Sequence, residues 1–109
     1  MFGRIDVKDN SVDVKVPIHL MKERDSGRVV IYTPALEVCG YGNTADEAKR
    51  DLDNAVKIFL EETTRKGTFE KALKELGWKE VTSPSRKPYW ESSMDMIDSA
   101  IEELTVTAA

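Results

Sequence analysis

Between Val12 and Met21 the chain alternates: Val12, Val14, Val16, Ile18 and Leu20 are apolar, with Asp13, Lys15, Pro17, His19 and Met21 between them. Successive side chains on a strand point to opposite faces, so this stretch predicts a half-buried strand with one apolar face. Asp25-Ser26-Gly27 supplies turn residues, and Arg28 to Thr33, with Val29, Val30, Ile31 and Tyr32 in succession, predicts the returning strand of a hairpin. Pro17 has no backbone donor, which places its part of the first strand at an edge or a bulge. Arg4 to Lys8, with Ile5 and Val7 in alternation, predicts a shorter strand ahead of the Asp9-Asn10-Ser11 turn. Pro34 ends the returning strand. Leu36 to Tyr41 predicts another, closing in Gly40-Tyr41-Gly42, glycines of a bulge or close turn.

The period then changes. In Thr44-Ala45-Asp46-Glu47 the threonine can accept from the Glu47 amide while Glu47 reaches back to Thr44, which is a capping box. Behind it Ala45, Ala48, Leu52, Ala55, Val56, Phe59 and Leu60 recur at helical spacing, predicting a helix over 45–64 that lays its apolar stripe on the sheet. Lys66-Gly67 stops it. Phe69, Ala72, Leu73 and Leu76 predict a shorter helix over 69–76, with Gly77 as its left-handed cap, and Trp78 to Thr82 a short strand. Ser83-Pro84-Ser85-Arg86-Lys87-Pro88 has the composition of a linker. Beyond it Trp90, Met94, Ile97, Ile101 and Leu104 fall at spacings of four, three, four and three, and Ser92 or Ser93 can cap a final amphipathic helix whose other face is Asp95, Asp98, Glu102 and Glu103.

These elements predict a two-layer α+β domain over 1–82, an antiparallel-rich sheet of three to five strands covered by one long helix, in the order βββα(α)β. A linker and C-terminal amphipathic helix over 83–109 complete it. A chain of 109 residues suits one core, and at this size it folds without disulfides or a structural metal. Cys39 is the only cysteine, which excludes an internal disulfide and fits a reducing cytoplasm. The opening residues carry Arg4, Asp6, Lys8 and Asp9 and lack an apolar block, so neither export nor membrane insertion is expected.

Sixteen basic against twenty acidic residues give a net charge of −4, the wrong sign for holding phosphate backbones. The charge is polarised. Residues 65–88 carry seven basic and three acidic side chains, and residues 89–109 carry five acidic and no basic ones. Phe69, Trp78, Tyr89 and Trp90 lie in or beside the basic stretch, yet Glu70 and Glu75 interrupt it, which reads as a solvated face rather than a nucleic-acid surface.

His19 and Cys39 are the sole imidazole and thiol, and a Cys-His nucleophile pair needs them within hydrogen-bond reach. His19 falls on the polar face of its strand and Cys39 beside Gly40 in a packed run, so a non-catalytic chain is expected. Asp6, Asp9 and Asp13 lack calcium-loop spacing, and the helix carboxylates alternate with Lys49, Arg50 and Lys57, so neither a metal nor a cofactor is expected. Gly40-Tyr41-Gly42-Asn43-Thr44 precedes a helix N-terminus but lacks a third dinucleotide-fingerprint glycine and a phosphate-loop lysine; packing is the expected role of its glycines. The stripe Trp90, Met94, Ile97, Ile101, Leu104 must be buried somewhere, either on its own sheet or on another chain.

Tyr32-Thr33-Pro34-Ala35-Leu36-Glu37-Val38-Cys39-Gly40-Tyr41-Gly42-Asn43-Thr44-Ala45-Asp46-Glu47-Ala48 resembles the HicB-like antitoxin family: a strand, a Pro-x-Leu turn, a short strand ending in glycine, and a Gly-x-Thr-x-x-Glu-Ala helix start. Leu76-Gly77-Trp78 resembles the ending of small stand-alone members, and the similarity spans 28–80. The resemblance implies a bacterial cytoplasmic protein with a partial ribonuclease-H-like domain lacking the catalytic acids. It also implies neutralisation of a small HicA-type mRNA-cleaving toxin, and assembly into dimers or tetramers. Pro34, Leu36, Gly40, Gly42, Thr44, Glu47, Ala48, Gly77 and Trp78 are then motif residues, and Trp90, Met94, Ile97, Ile101 and Leu104 the expected partner-binding set. Many members add a DNA-binding module. The 27 residues after Thr82 are too few for one, and their acidity argues against direct DNA binding.

Overall fold

The alternating run from Val12 is the spine of the sheet. In a computed structural model, which describes residues 2–8, 11–95 and 100–107, it forms strand β2 (Ser11–Lys22). The other elements are β1 (Phe2–Val7), β3 (Val29–Thr33), β4 (Val38–Gly42), α1 (Ala45–Arg65), α2 (Phe69–Glu75), β5 (Lys79–Ser83), β6 (Arg86–Asp95) and β7 (Ala100–Thr107). The result is an α+β fold whose strand pairs are all antiparallel, with six strands in the order β4-β3-β2-β1-β6-β5 and β7 paired to β2.

At twelve residues β2 is long enough to serve three neighbours. Val12 to Lys15 face β1, Ser11 to Ile18 face β7, and His19 to Lys22 face β3. Pro17 therefore sits in a central strand rather than at an edge; it lies past Lys15, the last residue of β2 in register with β1, and opposite Ile101. Val14, Val16 and Ile18 are buried on one face with Ile5, Ile31 and Trp90, beneath Leu52, Val56, Leu60 and Leu73 of the helices. The opposite face carries ions: in register across β5, β6, β1 and β2 stand Lys79, Glu91, Arg4 and Lys15. Arg4 holds Asp6 with two bonds of 2.8 and 2.9 Å and stacks 3.7 Å over the Tyr89 ring.

Three expectations are corrected here. Among the described residues the sheet has seven strands, not three to five. The segment 83–88 is no linker: Pro84-Ser85 is a tight turn between β5 and β6, with Ser83 paired to Arg86, and a proline after a small polar residue is a normal way to start such a turn. No C-terminal helix forms over the described part of the tail. Its residues are the strands β6 and β7, so the segment after 83 belongs to the same sheet as residues 1–82 instead of standing as an appendage. The reason is local and tertiary together. Ile101, Thr105, Val106 and Thr107 are β-branched, a lone helix of this length is marginal, and β1 and β2 offer strands to pair with, the β2 register running unbroken.

Both helices form where expected. Thr44 accepts from the Glu47 amide at 3.2 Å, but the Glu47 carboxylate takes the Asn43 amide at 2.7 Å, one residue earlier than a capping box requires. Gly77, at φ +91°, ends α2 in the left-handed region that favours glycine.

On α1, one oxygen of Asp53 is buried without a partner, and burial raises its carboxyl above the usual range against a weaker opposing pull from Lys49. The folded chain then holds this proton more tightly than the unfolded one, so stability falls as pH rises through the carboxylate range. Asp53→Asn is expected to raise Tm at neutral pH and to leave it unchanged near pH ~3, where the carboxyl is protonated in both states. Thermal melts at the two pH values check this; an equal gain at both would show that charge is not the cause.

Candidate functional site

The only nucleophile pair on offer is dismantled by strand register. Tyr32 stands opposite His19 on one side and opposite Cys39 on the other, so the row runs His19, Tyr32, Cys39 across β2, β3 and β4. Two strand spacings, about 9–10 Å between backbones, separate imidazole from thiol, and an aromatic ring lies between them. His19 is exposed and Cys39 half-buried. Cys39 lies two residues from Tyr41 on β4 and pushes its phenol above the usual value, while Arg28 stacks 4.6 Å over the Tyr41 ring and is held by Glu23 at 2.6 Å.

The carboxylates considered as metal ligands are also engaged. Asp6 and Asp13 face each other across β1 and β2, but Arg4 takes the first and Lys8 the second. Lys8, and then Thr105, hold the Asp13 carboxyl below its ordinary range. Thr105 donates to Asp13 at 2.7 Å, which ties β7 to β2. Asp9 lies outside the described residues. Among the described residues no group of three His, Cys, Asp or Glu side chains is placed to hold a metal.

The motif residues, by contrast, are drawn into one unit. Pro34-Ala35-Leu36-Glu37 is the turn between β3 and β4, with Glu37 at φ +55° and the Glu37 amide bonded to the Pro34 carbonyl. Trp78, 43 positions on, is buried and donates its Nε1–H to the Ala35 carbonyl at 2.8 Å. Gly40 and Gly42 bring β4 against the first turns of α1. A Cβ on Gly40 would lie 2.4 Å from the Ala48 carbonyl oxygen and from the Leu52 nitrogen, and one on Gly42 would lie 2.6 Å from the Ala48 nitrogen. Packing, not anion binding, explains these glycines, and Glu47 covers the helix N-terminus.

Of the expected partner-binding set, Trp90 is the member whose side chain the structure describes. Trp90 is 3% exposed and meets Phe69 edge to face at 6.3 Å, so it is a core residue. It lines an open cleft together with Val7, Lys8, Phe69, Glu70, Glu80, Lys87 and Pro88. Met94 is in β6, Ile101 and Leu104 are in β7 opposite Pro17 and Val14, and Ile97 lies outside the described residues.

What sequence reasoning missed is the rim of the sheet. Three strands have a second edge with no strand partner among the described residues: β4, β5 and β7. Their composition was readable, but not their position, because β7 pairs with β2 across almost the whole chain. No helix among the described residues is long and apolar enough to cross a membrane. The chain matches no family model, no curated protein and no solved structure.

Proposed function

We propose that this chain is a non-catalytic protein-binding module of the HicB-like antitoxin type, with a partial ribonuclease-H-like sheet, acting in the bacterial cytoplasm. It inhibits a small HicA-type mRNA-cleaving toxin by covering its RNA-binding face. The observation that carries the reading is the locked unit β3, turn, β4, α1, α2: the residues of the resemblance are joined physically, Trp78 to Ala35 and Gly40 to Ala48. The separation of His19 from Cys39 supports a binding role over a chemical one. The acidity beyond Lys87 suits a basic partner and opposes DNA. The three strand edges support a second reading, a stand-alone domain that assembles with itself as a dimer or tetramer and has no toxin partner.

Co-production with a HicA-type toxin in a bacterial host is expected to relieve growth arrest, and the purified chain to stop RNA cleavage at a fixed stoichiometry. Undiminished cleavage at molar excess of the chain rejects the inhibitor. A discrete oligomer in light scattering, combined with that result, favours the self-assembling domain.

A further inference from the structure

The helices do not cover the whole of the sheet. Ile5, Trp90 and Glu80 stand in register across β1, β6 and β5, and directly opposed residues share a face, so Glu80 lies on the same side of the sheet as the buried Ile5 and Trp90. Val7, two residues after Ile5 and therefore also on that side, is 40% exposed. Phe69 and Glu70, in the first turn of α2, line the same opening from the helix layer, and the cleft measures about 380 Å³. That is the size of a small-molecule site, in which a mostly apolar lining carries a few placed polar groups. Val7, Phe69, Pro88 and Trp90 supply the apolar part.

Charge decides what fits. The cleft holds two lysines and two glutamates, but the lysines are already engaged. Lys8 is ion-paired with Asp13, which faces the other side of β2 from the buried Val14, and Lys87 has a partner of its own. Among the described residues neither Glu70 nor Glu80 is paired with a cation. One carboxylate comes from α2 and the other from β5, beside a shared apolar lining.

We propose that this cleft binds an aliphatic diamine, with one ammonium at Glu70, the other at Glu80 and the methylene chain against Val7, Phe69 and Pro88. A single ammonium on an alkyl stem, as in a lysine side chain, satisfies one carboxylate and leaves the second without a counter-charge. An anion is repelled by both. The site does not depend on the antitoxin reading.

The test titrates the isotope-labelled full-length chain with putrescine, a four-carbon diamine, and with butylamine, its single-ammonium counterpart, and follows amide and indole shifts by NMR. Putrescine is expected to move the Val7, Phe69, Glu70 and Glu80 amides and the Trp90 indole, to bind roughly fivefold more tightly than butylamine, and to weaken as salt is raised. In Glu70→Gln and in Glu80→Gln that preference disappears and putrescine binds no better than butylamine. Both glutamates are exposed, so the variants are expected to fold, and an unchanged spectrum outside the cleft shows that they do. Equal affinity for the two amines in the unaltered chain, or an undiminished preference in either variant, overturns the proposal. So do shifts spread over carboxylates throughout the chain, which a net charge of −4 alone would produce.

Discussion

Gly40→Ala is expected to destabilise the chain by about 3 kcal/mol, although it adds a single methyl group to an apolar interior. The methyl would lie 2.4 Å from the Ala48 carbonyl oxygen and from the Leu52 nitrogen, and 2.7 Å from the Leu52 Cβ. Two of these are backbone atoms of α1, so no rotamer change relieves the clash. The helix must lift from β4, and doing so disturbs the burial of Ala48, Leu52 and Val56 along the same face. Gly67→Ala is the control. Gly67 has φ +71° and open space where a Cβ would go, so its cost is conformational only, about 1 kcal/mol. Urea unfolding of the two variants separates the mechanisms; losses of equal size would mean that β4 and α1 are not in backbone contact. A domain of this size has roughly 5–15 kcal/mol of stability, so the Gly40 variant should still fold in the cold.

The glycines show what kind of structure this sequence makes legible. Gly40-Tyr41-Gly42 before a helix start is readable as close packing, because short side chains beside an amphipathic helix have few other uses. β2 and α1 were equally plain, since apolar residues at every second position from Val12 to Leu20 and sixteen residues of helical spacing each leave one answer. The tail was not plain. Trp90, Met94, Ile97, Ile101 and Leu104 fit a helix, while the β-branched Ile101, Thr105, Val106 and Thr107 favour a strand, and nothing local decides between them. The deciding term is non-local: the partner of β7 is β2, and Asp13 and Thr105, bonded to each other, are 92 positions apart. The same limit hid the separation of His19 and Cys39. Residue types fix what chemistry a pair can do, but only register tells that Tyr32 stands between them.

Trp78→Ala carries the largest expected loss of any single substitution, about 3–5 kcal/mol. Trp78 is the largest fully buried side chain, its ring edge comes within 2.9 Å of where a Cβ on Gly3 would lie, and its indole reaches the β3–β4 turn. Removing it opens a cavity under β1 and also strips the Ala35 carbonyl of its donor. Trp78→Phe divides the two effects. Phenylalanine keeps much of the volume but offers no N–H, leaving a buried carbonyl unpaired at a cost of about 1–3 kcal/mol. Its damage should therefore concentrate at the turn, where Glu37 already holds a left-handed conformation that a non-glycine residue resists. Faster hydrogen exchange at the Glu37 and Val38 amides, with the β1–β2 amides little changed, is the expected signature in Trp78→Phe. Uniformly faster exchange would mean that packing alone sets the effect. Leu76-Gly77-Trp78 is thus a device for bringing an indole donor to the turn that launches β4, with Gly77 turning the chain at φ +91° so that the ring can enter the core.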